Sequence, residues 1–130
     1  MSVLVDTNIC IAWLKGDAAV RDAWLALDPD ELMLSSVVRA ELLFGARHSR
    51  KVAENLQRLE VLFSAMRSVP FDDAAAGHYG LLRAQLTATG RLIGPNDLMM
   101  ASTALANDAT LVTPNQAEFS RVVGLRIVEW

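Results

Sequence analysis

The chain has 130 residues, is 52% hydrophobic and carries a formal net charge of −3, which fits one domain (residues 1–130) able to bury a substantial core without staples. The acidic balance excludes a protein that grips nucleic acid by bulk positive charge, though not a nuclease, because bound divalent cations reverse the local field. One cysteine, Cys10, excludes an intramolecular disulfide. With no apolar run near the ~20 residues that span a bilayer and no basic segment ahead of the first apolar run, the expected location is the cytoplasm.

Val3-Leu4-Val5 reads as a short strand buried on both faces and runs straight into Asp6-Thr7-Asn8. A carboxylate at the end of a core strand is costly unless hydrogen bonds or a metal compensate it. In open parallel sheets, the carboxyl ends of strands are also where ligands bind. Asp-Thr-Asn is equally ordinary capping material, so Asp6 becomes a candidate for chemistry only in company. Asn8 to Lys15 predicts a helix capped by Thr7 or Asn8 and stopped by Gly16. Asp17 to about Leu27 predicts a second, with Val20, Trp24 and Leu27 on one face and Asp28-Pro29-Asp30 as its break. Leu32 to Ser35 is the second strand.

Ser36 is a plausible cap for a helix from Val37 to about Arg47. Within it Glu41 shares a face with Val37, so its carboxylate points inward or into a cleft, unless Glu41 and Arg39 merely form a wet stripe. Arg47-His48-Ser49-Arg50-Lys51 is the one basic cluster. It suits a phosphate backbone, or equally cations at a helix C-terminus followed by a solvated loop. Val52 to Met66 predicts a long helix with Leu56, Leu59, Leu62 and Phe63 at helical spacing, and Ser68 to Phe71 a strand that its proline places at an end or edge.

Asp72 or Asp73 then caps an alanine-rich helix to about Thr89, with a packing stripe at Tyr79, Leu82 and Leu86. After Gly90, the turn Gly94-Pro95-Asn96-Asp97 enters a helix from Leu98 to about Asn107 that is apolar nearly all round. Thr110 to Thr113 is a core strand, Pro114 to Phe119 a turn or single helical turn, and Leu125 to Val128 the last strand. Short apolar strands alternating with helices predict a three-layer α/β/α domain with a short, mainly parallel central sheet.

Acids and amides recur just after these strands: Asp6 after the first, Glu41 in the helix after the second, and Asn115 with Glu118 after the strand at Thr113. Asp97 sits in the first turn of a buried helix. In a parallel sheet these can converge at one edge. Several carboxylates in one cleft repel one another and take up protons unless a cation lies between them, and hard oxygen donors favour Mg²⁺ or Mn²⁺. Each piece alone has a plain alternative, since Asn96-Asp97 is a good helix cap and Asn115 with Glu118 can close a turn. The two histidines, His48 and His78, lie far apart in sequence without cysteines nearby, which argues against a zinc site.

Four pieces together resemble the PIN-domain ribonucleases, specifically the VapC-type toxins of toxin–antitoxin pairs. They are Val5-Asp6-Thr7-Asn8, Ala40 to Ala46, Ile93 to Ala101 and Leu111 to Phe119, in the family's order and spacing. The resemblance implies a PIN-like fold and a Mg²⁺- or Mn²⁺-dependent endoribonuclease acting on transfer RNA or another structured RNA. It also implies a homodimer, and a VapB-type antitoxin through which alone operator DNA would be reached. Carried over by position, Asp6, Glu41 and Asp97 match the core acids, with Asp6 and Asp97 as metal ligands. Many relatives have an aspartate where this chain has Asn115, which leaves open whether Asn115 or Glu118 fills the fourth place. Thr113, Thr7 and Asn8 resemble the polar residues that position water or ligands. No general-base histidine belongs to the pattern.

Two other classes remain. An aspartate-nucleophile phosphatase fits poorly, because the position two after Asp6 is Asn8 and not a second acid. A non-catalytic protein-binding module would use its acids only as helix caps. The apolar excess, with the stripes on Val52 to Met66 and on the alanine-rich helix, separately suggests a homodimer.

Overall fold

Leu4, Val5, Leu111 and Val112 have no exposed surface at all, and they form the middle of the sheet. In the computed structural model, which describes residues 1–130, five strands lie side by side. They are β1 (Val3–Val5), β2 (Leu32–Ser35), β3 (Arg67–Val69), β4 (Thr110–Val112) and β5 (Ile127–Val128). Their order is β3-β2-β1-β4-β5 and every pairing is parallel. β1 and β2 face Val3 to Leu32 and Leu4 to Met33, while β1 and β4 run in step from Val3 opposite Thr110 to Val5 opposite Val112.

The chain thus winds outward from β1 to β3, then returns to the other side of β1 for β4 and β5. Adjacent strands whose connections leave in opposite directions open a crevice at their carboxyl ends. Asp6 follows β1 and Thr113 follows β4, so both stand at that crevice.

The helices that flank the sheet are α1 (Thr7–Lys15), α2 (Ala18–Leu25), α3 (Ser36–Arg47), α4 (Val52–Ser64), α5 (Asp73–Ala88), α6 (Pro95–Ala106) and α7 (Gln116–Phe119), with a 3₁₀ turn at Pro29–Glu31. The expected α/β class with a central parallel sheet is what the chain adopts. Gly16 ends α1 in the left-handed conformation, φ 83°, that glycine alone adopts without strain.

Several helix starts differ from expectation because the cap lies a residue or more earlier. Asp6, not Thr7 or Asn8, caps α1, and Ser35, not Ser36, caps α3 by accepting the Val38 N–H at 3.1 Å. α6 begins at Pro95 after Gly94, so Asn96 and Asp97 lie inside its first turn and do not cap it. Proline at the first helical position needs no N–H partner, which lets the helix start there. β3 ends at Val69, before Pro70, because proline offers no N–H to a ladder.

The apolar stripes expected on α4 and α5 turn inward. Leu59 and Leu62, like Leu82 and Leu86, are buried in the main core, and Leu56, Phe63 and Tyr79 pack against it. What these helices leave in water is narrower: Val61 and Leu81 are their exposed large apolar residues. α6 is enclosed as expected, with Leu98, Met100, Ala101 and Ala104 in the core. Its two buried hydroxyls, Ser102 and Thr103, donate back to the carbonyls of Leu98 and Met99 at 2.7 and 2.8 Å, so neither is left unsatisfied.

Candidate active site

Four carboxylates from four separate stretches meet at the carboxyl edge of the sheet: Asp6, Glu41, Asp97 and Glu118. Asp6 comes first because β1 is too short and too buried to let the chain drift before its acid. Asp6 is only 6% exposed. Its Oδ1 accepts the Thr7 N–H at 2.6 Å, and its Oδ2 accepts the Thr113 hydroxyl at 2.6 Å, across the β1–β4 seam. Thr113 Oγ1 in turn accepts the Asn115 N–H at 3.0 Å. Burial raises the Asp6 carboxyl above its ordinary range, the two hydrogen bonds pull against that, and the charges of Glu41 and Glu118 push the same way as burial.

Glu41 reaches the cluster from α3. The Thr7 hydroxyl donates to its Oε2 at 2.7 Å, so Glu41 is neither wholly inward nor part of a wet stripe. On the other side, Glu118 of α7 is braced twice. Its Oε1 accepts the Gly94 N–H at 3.1 Å and its Oε2 accepts the Asn115 side-chain amide at 2.7 Å. Those bonds, the Gly94 N–H first, hold Glu118 below the usual carboxylate range.

Asp97 is the opposite case. Half-buried in the first turn of α6, it is pushed up to about 6, by desolvation first and then by Glu118, Asp6 and Glu41. A Cβ on Gly94 would stand 3.5 Å from Asp97 Oδ2 and 4.0 Å from Glu118 Oε1, which places the two carboxylates around one spot. None of the ion pairs in the protein involves any of the four acids.

This donor set suits a hard divalent cation. Every donor is oxygen, negative charge is in excess, and each hydrogen-bonded carboxylate oxygen keeps a second lone pair. As the side chains stand, no three of the acids converge closely enough to enclose an ion. They are near enough to repel, and closing on a cation would require drawing them in.

The sequence-predicted residues fare unequally. Asp6, Glu41, Asp97, Asn115, Glu118, Thr7 and Thr113 are brought together, directly or through one hydrogen bond. Asn8 is exposed on α1 and its side chain makes no hydrogen bond to the cluster. One participant was not foreseen, the backbone N–H of Gly94, which fixes Glu118. A backbone donor leaves no side-chain signature, and only the glycine before Pro95 hinted at a turn there. Beside the acids a groove of about 390 Å³ runs between α1, α3 and α4, from Thr7 and Glu41 at one end to Lys15 and Arg58 at the other.

Residues 3–125 match the family model of the PIN domain. Over its whole length and 98% of theirs, the chain is 39% identical to the tRNA(fMet)-specific endonuclease VapC of Shigella flexneri and 36% identical to ribonuclease VapC2 of Rickettsia felis. Among solved structures, VapBC2 from Rickettsia felis bound to a DNA fragment from its promoter matches with a TM-score of 0.94 at 34% identity. That match covers 100% of this chain and 99% of the other. VapBC-1 from nontypeable Haemophilus influenzae matches with a TM-score of 0.91 at 32% identity, covering 100% and 98%.

Proposed function

The chain belongs to the PIN-domain family, and from that premise we propose that it is a VapC-type toxin, a Mg²⁺- or Mn²⁺-dependent endoribonuclease that hydrolyses RNA phosphodiester bonds. The observation that carries this is the meeting of Asp6, Glu41, Asp97 and Glu118 at the sheet crevice, with Asp97 raised to about 6 by desolvation first and then by its acidic neighbours, and no basic side chain paired to any of them. Mutual repulsion among these acids costs the fold, and it suits a site built to receive positive charge.

Asp6 and Asp97 would hold the metal, with Glu41 and Glu118 completing the negative field. Bound there, a divalent cation supplies Lewis acidity toward both the phosphodiester and water. The chain's own groups do the positioning. Thr113 and the Thr7 N–H lock the Asp6 carboxylate in one orientation, and Thr7 Oγ1 holds Glu41 beside it. Gly94 and Asn115 fix Glu118 so that its charge bears on Asp97. Since Asn115 donates to Glu118, we assign the fourth acidic place to Glu118 and a bracing role to Asn115.

The partners follow from the same reading: an antitoxin of the VapB kind, operator DNA through that antitoxin, and a second copy of the chain. The working location would be the cytoplasm, and no helix is long and apolar enough to cross a membrane. The test is cleavage of total transfer RNA by the purified protein in Mn²⁺. Cleavage that stops with EDTA and with folded Asp97→Asn is the expected result. Undiminished cutting by Asp97→Asn would overturn the site, and no cutting by the parent under any divalent cation would overturn the enzyme.

A further inference from the structure

The basic run takes no part in the acidic site, yet it begins at Arg47, the last residue of the helix that carries Glu41, and continues just past its end. Arg47, Arg50 and Lys51 are exposed, and only Lys51 meets an acid, Glu54, at 3.9 Å in the open. Just ahead of them is a feature the ribonuclease chemistry does not use. Phe44 is 69% exposed and its ring lies flat against His48, with centroids 5.5 Å apart and planes 12° from parallel.

Positions 41, 44 and 48 follow one face of a helix. At 1.5 Å rise per residue, Phe44 stands about 4.5 Å and His48 about 10 Å further along the axis than Glu41. A protein-docking face would add apolar neighbours, but Phe44 is the single large apolar residue that α3 exposes. Arg47 follows it by one helical turn, and Arg50 and Lys51 come just past the end of the helix, in a chain whose net charge is −3. An exposed π-surface followed along the chain by exposed cations matches the two things an unpaired nucleotide offers, a base face and a phosphate.

Resting on the ribonuclease reading, we propose that the Phe44–His48 pair is a stacking platform for an unpaired base of the RNA substrate beside the scissile bond, with Arg47, Arg50 and Lys51 contacting the flanking phosphates. A duplex keeps its bases stacked on each other and has no free base face to give, so the platform selects loops and single strands.

The test uses the full chain carrying Asp97→Asn, expected to hold RNA without cutting it, and a short fluorescein-labelled mixed-sequence RNA, single-stranded or annealed to its complement. Fluorescence anisotropy should show Phe44→Ala and Phe44→Leu binding the single strand about 5- to 100-fold more weakly than the parent, with Phe44→Trp restoring it. Duplex binding should hardly change. Arg47→Gln with Arg50→Gln should weaken both forms and flatten the salt dependence for the single strand by about 1.4 in the log–log slope. Phe44 is mostly in water, so an unchanged melting temperature is expected for all three aromatic-site variants. Equal losses on single strand and duplex, or no loss with Phe44→Leu, would overturn the platform. So would RNA binding that is intact while antitoxin binding is lost, which would make Phe44 a protein contact. If the active parent cuts RNA and Phe44→Leu cuts as well, only the platform fails. A parent that neither binds nor cuts RNA removes the ribonuclease reading as well.

Discussion

The two banks of the acidic crevice are built on opposite principles. On the β1 bank, Asp6 is almost fully enclosed, and both its oxygens accept short hydrogen bonds from Thr7 and Thr113. On the α6 bank, Asp97 receives no comparable donor and is left to desolvation and to the field of three other acids. One carboxylate is part of the fold's own hydrogen bonding; the other is an unrelieved charge. The difference separates two roles that a list of acidic residues merges. Asp6 holds the geometry and also caps α1, whereas on the proposed reading Asp97 carries the electrostatic demand for a cation.

The largest expected effect tests that separation by removing each charge. Asp6→Asn and Asp97→Asn should both bring RNA cleavage below detection in Mn²⁺, yet they should move stability in opposite directions. Asp6→Asn puts an amide opposite a hydroxyl or backbone N–H that needs an acceptor, and should cost about 1–3 kcal/mol. Asp97→Asn removes a repelled charge and should stabilise the metal-free protein at neutral pH. Paired urea titrations in EDTA check both signs. Two losses of similar size would show that Asp97 is as structural as Asp6.

Thr113→Val comes next, because it strips a buried hydroxyl that both donates to Asp6 and accepts from Asn115. The isosteric valine leaves the Asn115 N–H without its partner, for an expected loss of about 1–3 kcal/mol and weakened Mn²⁺ binding by calorimetry. Unchanged stability would mean that the β1 bank is less rigid than its distances imply.

The pH dependence distinguishes the banks without mutation. Asp97 titrates near 6 in the folded chain and near 3.8 unfolded, so between those values the folded state holds the extra proton. That contribution is therefore greatest at low pH and is lost as pH rises through about 6. Glu118, held low by Gly94 and Asn115, works the other way: its stabilisation is present above the ordinary glutamate range and is lost on acidification. In EDTA, parent minus Asp97→Asn stability should fall as pH rises from about 4 to about 6. A flat difference would break the account of Asp97.

Much of this was legible in the sequence because strand and acid are adjacent in it. Val3-Leu4-Val5 before Asp6, and Thr110 to Thr113 before Asn115, announce a buried strand and what stands at its end. What could not be read is pairing across the sheet. The Thr113–Asp6 bond joins residues far apart in the chain, and only the β1–β4 neighbourhood creates it. The caps were misplaced for a related reason. Asp6, Thr7 and Asn8 all cap helices well, and the choice fell to the one whose backbone leaves β1 in extended form. Asn8, one residue further on, turned to solvent. The stripes on α4 and α5 had the period of an interface, but a helix period does not say whether the partner is another chain or this one.

The smallest effect bears on Asn115, where the sequence leaves the fourth acidic place open between two residues. Asn115 sends its amide to Glu118 at 2.7 Å, which makes it the one place where the α6 bank is braced by a side chain. Asn115→Ala removes that bond in a half-buried setting, and the loss should be about 1 kcal/mol or less. Asn115→Asp differs in kind, since it sets a further carboxylate against Glu118. Without metal it should destabilise and push Glu118 upward, adding to the frustration that Asp97 already shows on the same bank. With Mn²⁺ the same charge has a use, so affinity by calorimetry should rise above the parent's. Opposite effects in EDTA and in Mn²⁺ would show that the asparagine trades metal affinity for the stability of the empty site. The same sign in both would return Asn115 to a simple turn residue.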